Sequence, residues 1–244
     1  MNEPPNLACT ASIPVRYGSI AGLAGLLALT AASVQTTAAS TTNLDTLAAL
    51  EMFLSRPATV HPYRAFRRLE ASGSGQRGWL DAQTDFTVAS GLQYEVTAEG
   101  GSGYIRTRVL RSLLDEEQRL IAQGAGSSVA ISTRNYEFRP EGVNEEGFAV
   151  VTLRPLRNDR SLINGRMFLT TVNGDLVRVE GRLARNPSFW LTRVNVVRSY
   201  RRIEDVVMPV SLETNARLRL LGSSSLRMTY RYSHIDERPV GDTD

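Results

Sequence analysis

The sequence predicts an α+β protein, mainly antiparallel β, in which helices cover the apolar face of a meandering sheet. From Ala130 onward, apolar residues recur with a period of two and are separated by turn residues. Upstream, the segments 41–55 and 104–122 have the apolar period of amphipathic helices. Short connections make successive strands antiparallel neighbours. A sheet with one apolar face must bury it, and the two helices are the obvious cover.

The two helices have distinct start and stop signals. The first is predicted over 41–55, where Leu residues recur at helical spacing before Pro57. The second is predicted over 104–122, with Ser102 as the N-cap and Gly124 as the C-terminal stop.

Three strands are predicted in the first half of the chain. The segment 63–71 alternates as a strand does, although Tyr63, Phe66 and Leu69 also fit a helix, and we favour the strand. A glycine turn at 72–78 follows. The segments 77–87 and 92–98 then alternate as two further strands.

The second half of the chain predicts successive short strands with explicit turn residues. The dipeptides Asn164-Gly165 and Asn173-Gly174 supply the positive φ angles that tight hairpins need. The predicted strands are 148–154, 166–172, 175–184, 189–202, 206–221 and 226–235.

The last of these strands separate apolar residues from arginines by parity. Arginines at 193, 217, 219, 227 and 231 share one parity, which predicts a wet outer face. The other parity carries an apolar row: Trp190, Val194, Val196, Met208, Val210, Leu218, Met228 and Tyr230. Arg198, Arg201 and Arg202 end one strand and are interpreted as a solvated basic rim, or alternatively as a lip that binds lipid phosphates or another anion. Arginines 64, 67 and 68 form a second cluster of this kind.

Composition excludes several chemistries and indicates no enzyme. All 28 positive charges are arginines, so lysine-dependent catalysis and a P-loop are excluded. The net charge of +3 is spread along the chain and does not indicate nucleic-acid binding. His61 and His234 lack metal-pair spacing. We therefore predict no catalytic, cofactor or metal residues, with a carboxylate pair brought together by folding as the alternative.

Two glycine-rich segments resemble phosphate-binding loops. The segment 73–78 matches the dinucleotide fingerprint, but a predicted strand follows it where that site requires a helix. The segment 100–103 lies between a strand and a helix, where its amides could hold an anion. We favour a flexible turn for the first and a simple helix start for the second.

The N-terminus predicts export. The segment 20–32 is uncharged and mostly apolar, follows Arg16, and precedes small residues at Ala38 and Ala39. This order is typical of a secretory signal peptide, and the apolar stretch is shorter than the ~20 residues of a membrane-spanning helix. We predict a periplasmic protein cleaved near Ala39, with an uncleaved N-terminal anchor as the alternative. A single domain is expected over 40–236 and a disordered tail over 237–244.

Three passages, 167–181 (MFLTTVNGDLVRVEG), 190–200 and 202–209 (RIEDVVMP), resemble the periplasmic outer-membrane lipoprotein carrier and lipoprotein-sorting superfamily. The resemblance extends over about residues 45–235. It implies an open half-barrel whose concave apolar face is covered by helices, and a monomeric, non-enzymatic carrier or binding protein. The expected partner is a lipid or an acylated protein, with an envelope membrane protein as a further partner, and the apolar row would line the cavity. Two alternatives stay open: a regulatory or scaffold module that binds a protein, or a concavity that helix 104–122 simply fills.

Overall fold

The computed structural model describes residues 35–57, 59–124, 130–186, 191–218 and 222–241. Helix α1 spans Gln35–Ser55, a π-helical segment spans Ile105–Arg111, and helix α2 continues it over Ser112–Ala122. The strands are β1 Tyr63–Gly73, β2 Gln76–Thr87, β3 Gly91–Gly101, β4 Tyr136–Val143, β5 Phe148–Pro155, β6 Ile163–Thr170, β7 Leu176–Leu183, β8 Leu191–Ile203, β9 Val206–Leu218, β10 Gly222–Ile235 and β11 Arg238–Pro239.

All strands belong to one antiparallel sheet, with the order β3-β2-β1-β10-β9-β8-β7-β6-β5-β4 and β11 beside β10. Strands β4 to β10 are a meander, as predicted. The pairing of β1 with β10 adds the first three strands to the end of this meander. Since β3 and β4 are the two edges, the sheet stays open, and the predicted α+β half-barrel is confirmed.

The two helices pack on opposite ends of the same sheet face, here called the inner face. Helix α1 lies against β4, β5 and β6, whereas the π-helical segment and α2 lie against β1, β2 and β3. Strands β7 to β10 lie between these two groups of strands in the sheet, and apolar side chains of β8, β9 and β10 pack into one cluster with Leu110 and Leu114 of the π-helical segment and α2.

The apolar core is correspondingly divided. The cluster under α2 includes Leu69, Leu80, Leu110, Leu114, Val194, Val196, Leu212 and Met228. The cluster under α1 includes Ala49, Leu50, Val151, Leu153, Met167, Leu169, Leu176 and Val179. Half-buried Ile163 packs against both clusters.

The predicted helices are confirmed, with differences in detail. Helix α1 begins at Gln35, earlier than expected, and the seven residues immediately before α2, Ile105–Arg111, have π geometry. Gly124 ends α2 with a φ of +66°, and its N–H donates to the carbonyl of Ile121. In the described residues, neither helix is long and apolar enough to cross a membrane. The predicted strand at 63–71 is confirmed as β1.

One predicted turn is wrong. Asn164 and Gly165 lie inside β6, opposite Arg182 and Gly181 of β7. A Cβ atom on Gly165 would lie 2.0 Å from the carbonyl oxygen of Glu180, so the glycine permits close strand approach. The turn predicted at Asn173-Gly174 is confirmed, because Gly174 has a φ of +64° between β6 and β7.

The C-terminal segment contains a short strand. Arg238–Pro239 forms β11 within the segment expected to be a tail, pairing with His234 and Ile235.

Candidate ligand-binding face

Part of the apolar row lies on the inner face of the central strands. Val194, Val196 and Met228 are buried in the cluster under α2. Beyond the register shift in β8, Met208 pairs with Arg201 rather than with an inner-face residue, and it is buried in a third cluster with Ala65, Tyr232 and Ile235. Half-buried Tyr230 packs against both this cluster and the one under α2.

The other members of the apolar row lie elsewhere. Half-buried Val210 lines a groove on the other side of the sheet. Trp190 lies outside the described residues, and Leu218 is described only as a strand position that pairs with Gly222.

An arginine from the predicted second rim cluster is in fact completely buried on the inner face. The side chain of Arg67 on β1 has 0% exposure. Its Nη1 donates to Oε2 of Glu117 on α2 at 2.6 Å, and its Nη2 donates to Oε1 of the same carboxylate at 3.2 Å. Nη2 also donates to the Tyr63 hydroxyl at 2.5 Å, and the guanidinium lies 4.7 Å from the centre of the Tyr230 ring. The Arg67–Glu117 pair therefore joins the sheet to α2.

The charges of this pair compensate each other. Burial alone would lower the pKa of Arg67, but the Glu117 carboxylate and the phenols of Tyr230 and Tyr63 together outweigh it and raise that pKa. Burial raises the pKa of Tyr63 to about 12, so this phenol is neutral at pH 7. Both terminal nitrogens of Arg67 are thus occupied, whereas its Nε has no hydrogen-bond partner among the described atoms.

Arg198, expected at the rim, lies on the inner face where the two apolar clusters meet. Its cross-strand partners are Val179 of β7, in the cluster under α1, and Leu212 of β9, in the cluster under α2. Both partners are buried, yet Arg198 itself is exposed. The electrostatic influence of Tyr200, followed by that of Tyr230 and Glu117, raises the pKa of Arg198 although burial opposes it. Among the described residues, no carboxylate lies within ion-pair distance of it.

Arg202, also predicted at the rim, does lie at the edge of helix α1, where it is paired with a carboxylate. Its Nε and Nη2 donate to the two oxygens of Asp175 at 2.7 and 2.6 Å. Arg56, just after α1, donates to the same carboxylate at 2.7 Å and to the carbonyl of Asn173. Burial would raise the pKa of Asp175, but the two arginines lower it below its usual value. Asp175 therefore joins the end of α1 to β8.

A groove with a volume of about 1060 Å³, here called the outer groove, lies mainly on the outer face of β1, β2 and β10. Arg64 and Asp85 line it and form an ion pair of 2.8 Å. Arg231, also in its wall, lies 4.9 Å from the centre of the Phe66 ring. Exposed Arg201, the third predicted rim residue, contributes to the same groove.

The glycine-rich segments have structural roles in the described fold. Ser74 and Gly75 form the β1–β2 turn with φ angles of 51° and 76°, so a strand follows the fingerprint as expected. Gly101, with a φ of +80°, leads from β3 towards the π-helical segment, and a Cβ there would lie 2.4 Å from the Arg77 carbonyl oxygen. Within the described ranges, no group of three or more His, Cys, Asp or Glu residues could hold a metal ion.

Sequence reasoning did not identify Glu117 or Asp175. Both carboxylates acquire their roles from partners far along the chain: Arg67 is 50 residues from Glu117, and Arg56 is 119 residues from Asp175. The sequence did indicate that Arg198 lies on the inner face, because it has the same parity as buried Val194 and Val196 on the same strand.

Comparison with known proteins identifies two solved structures similar to this chain. A DUF1329 family protein from Desulfovibrio piger matches with a TM-score of 0.37 and 8% identity, over 78% of this chain and 91% of that one. A LolA superfamily protein from Nitrosomonas europaea matches with a TM-score of 0.33 and 12% identity, over 84% of this chain and 94% of that one. No family model and no curated protein matches the chain.

Proposed function

We propose that this protein is a non-enzymatic carrier or binding protein that binds the acyl chain of a lipid or lipoprotein on the inner face of β7–β10. The observation that carries the proposal is the division of the inner face. Helices α1 and α2 cover its two ends, and the apolar side chains of β8–β10, including Val196, Leu212 and Met228, belong to the cluster under α2. A curved, apolar sheet face between two covers offers an elongated chain a path along the sheet.

The central strands have the chemistry that such a ligand needs. Val196 and Leu212 are buried and apolar, and Tyr230 and Thr214 are half-buried on the same face. Each methylene of a bound chain that leaves water contributes roughly 0.8 kcal/mol. Because the core consists of separate clusters, one cover can move while the other cluster stays packed.

Export remains part of the proposal. The N-terminal segment 1–39 acts as a leader that is cleaved near Ala39, and the domain over 40–236 works in the periplasm. N-terminal sequencing of the mature protein tests this placement: we expect its first residue close to position 40, whereas an intact N-terminus indicates an anchored form.

The direct test is native mass spectrometry of protein isolated without detergent, followed by titration of delipidated protein with a neutral fluorescent lipid, pyrene-labelled dodecanol. We expect copurified acyl lipid and saturable binding.

A matched pair of variants at adjacent residues of β9 locates the site. Thr214 is on the inner face, opposite Val196 and Leu226, whereas exposed Asn215 is on the outer face, opposite Asn195 and Ser225.

Thr214→Arg places a charge on the proposed path of the chain and is expected to abolish binding, while Asn215→Arg leaves it unchanged. Thermal unfolding of both variants separates a blocked site from a misfolded protein. A delipidated protein that binds no acyl probe, or equal binding by both folded variants, contradicts the proposal.

The outer groove favours a second candidate function, a scaffold or regulatory module that binds a protein partner and no lipid. Its wall combines Arg64, Arg201 and Arg231 with Phe66 and Asp85, a mixture typical of a protein-binding surface. If the protein is such a scaffold, in vivo crosslinking yields a defined complex with a protein partner, and Arg231→Glu abolishes that complex. Arg227→Glu is the matched control, because Arg227 is exposed on the same strand and does not line the groove. Lipid-free protein with such a complex favours the scaffold.

A further inference from the structure

Arg198 is an exposed cation where the two apolar clusters of the inner face meet. Its cross-strand neighbours Val179 and Leu212 are buried members of the two apolar clusters. A guanidinium is charged at every physiological pH and offers five N–H donors. An acyl chain that passes between the covers therefore encounters this charge.

The charge of Arg198 is not compensated locally. Glu117 is the nearby carboxylate, and it is bonded through both oxygens to Arg67. One carboxylate and two guanidiniums leave a net charge of one positive unit. Among the described residues, Arg198 has no ion-pair partner of its own, in contrast to Arg67 and Arg202.

The other polar groups around Arg198 are phenols. Tyr200, two residues further along β8, has the strongest electrostatic influence on Arg198, and Tyr230 also acts on its charge. Burial raises the pKa of Tyr230, so its hydroxyl keeps its proton at pH 7 and can donate a hydrogen bond. A cation beside a neutral donor is complementary to a monoanion.

We infer that Arg198 binds the carboxylate of a long-chain fatty acid whose acyl chain lies on the inner face of β8–β10. This inference rests on the proposed function and specifies the ligand's headgroup. The planar guanidinium matches a carboxylate through two parallel hydrogen bonds. One uncompensated positive charge matches one negative charge.

The test compares probes that share a chain and differ in the headgroup. Full-length, delipidated protein is titrated with pyrene-labelled dodecanoic acid and with pyrene-labelled dodecanol at pH 7. Palmitate and palmitoyl lysophosphatidylglycerol then compete for the acid probe, which distinguishes a carboxylate from a phosphodiester. The variant is Arg198→Gln. The matched control is Arg193→Gln, which removes the same charge from an exposed arginine on the outer face of the same strand.

We expect Arg198→Gln to weaken binding of the acid roughly ten- to a hundredfold, the effect of losing a charge-assisted hydrogen bond. Binding of the alcohol changes little, and Arg193→Gln changes neither. If Arg198→Gln loses affinity equally for the acid and the alcohol, or loses none for the acid, the headgroup assignment is overturned while the acyl-binding proposal stands. Tighter, Arg198-dependent competition by the lysophospholipid overturns the choice of a carboxylate. If neither probe binds, both proposals fail together.

Discussion

The two covers of the inner face are fixed to the sheet in different ways. Helix α2 is held from within: Arg67, completely buried on β1, is paired with Glu117 of that helix. Helix α1 is held at its end, where Asp175 accepts hydrogen bonds from Arg56 after the helix and from Arg202 on β8. The turn before Asp175 also packs directly on α1, since a Cβ on Gly174 would lie 2.6 Å from the Ala49 carbonyl oxygen.

This difference predicts different consequences of opening each cover. Moving α2 away from β1 would leave a buried guanidinium without its counter-ion, which is costly in a low-dielectric interior. Moving α1 separates arginines whose side chains are 38% and 40% exposed and which water can solvate. We expect α2 to be the more firmly held cover and α1 the one that opens more easily.

The largest expected effect is that of Glu117→Leu. Removing the carboxylate leaves Arg67 charged and buried, so we expect the free energy of unfolding to fall by about 3 kcal/mol. Chemical denaturation measures this change. The double variant Arg67→Leu with Glu117→Leu recovers most of the loss, because it removes the unpaired charge.

Glu116→Leu is the matched control, since Glu116 pairs at the surface with Arg119 and both side chains are more than 40% exposed. Its effect should stay within about 0.5 kcal/mol. Equal losses in Glu117→Leu and Glu116→Leu would contradict the interior attachment of α2.

The next effect concerns the contact between α1 and the β6–β7 turn. Gly174→Ala introduces a Cβ against the backbone of α1 at a φ of +64°, and we expect a loss of about 2–3 kcal/mol. In Gly75→Ala, the φ of +76° imposes similar strain, but no atom lies within 4 Å of the new Cβ. That control should lose only about 1 kcal/mol. Similar losses at the two glycines would mean that α1 does not press on this turn.

Asp175→Asn tests the attachment at the end of α1. It removes the negative charge shared by Arg56 and Arg202, and we expect a loss of about 1–2 kcal/mol at pH 7. Hydrogen exchange should show faster opening of the C-terminal part of α1 and unchanged protection of α2. Faster exchange in α2 instead would refute the separate attachment of the two covers.

The same variant predicts a pH dependence. The pKa of Asp175 is lower in the folded protein than in the unfolded chain, where it is about 3.9. The carboxylate therefore stabilises the fold fully above about pH 3.9, and this contribution disappears as the pH falls through the folded pKa. The stability difference between wild type and Asp175→Asn should be constant from pH 5 to 7 and shrink in acid. A difference that grows in acid would have the wrong sign.

Local patterns predicted the fold well where they were regular. The alternation in β8 and β10 correctly placed Val194, Val196 and Met228 on one face, because a strand's period of two survives whatever the strand pairs with. The Asn-Gly pair at 164–165 led to a wrong turn prediction, because the same dipeptide occurs both in tight turns and where two strands approach closely.

The polar site could be predicted only in part. Arg67 has two arginine neighbours in the sequence, and nothing local distinguishes the buried one from Arg64 and Arg68. Its burial depends on the pairing of β1 with β10 and on Glu117, which are tertiary contacts. The parity of β8 alone is enough to place Arg198 on the inner face. The sequence does not predict that Arg198 lacks a counter-ion, because the fold decides which carboxylates lie near it.

The most direct test of the central claim is photocrosslinking with a fatty acid that carries a diazirine near the end of its chain, followed by peptide mass spectrometry. If the acyl chain lies between the two covers, the modified residues are on the inner face of β8–β10, near Val196, Leu212 and Met228, and Thr214→Arg abolishes the modification. Modification confined to the outer groove around Phe66 and Val210, or none above the level of an unrelated protein, would contradict the account.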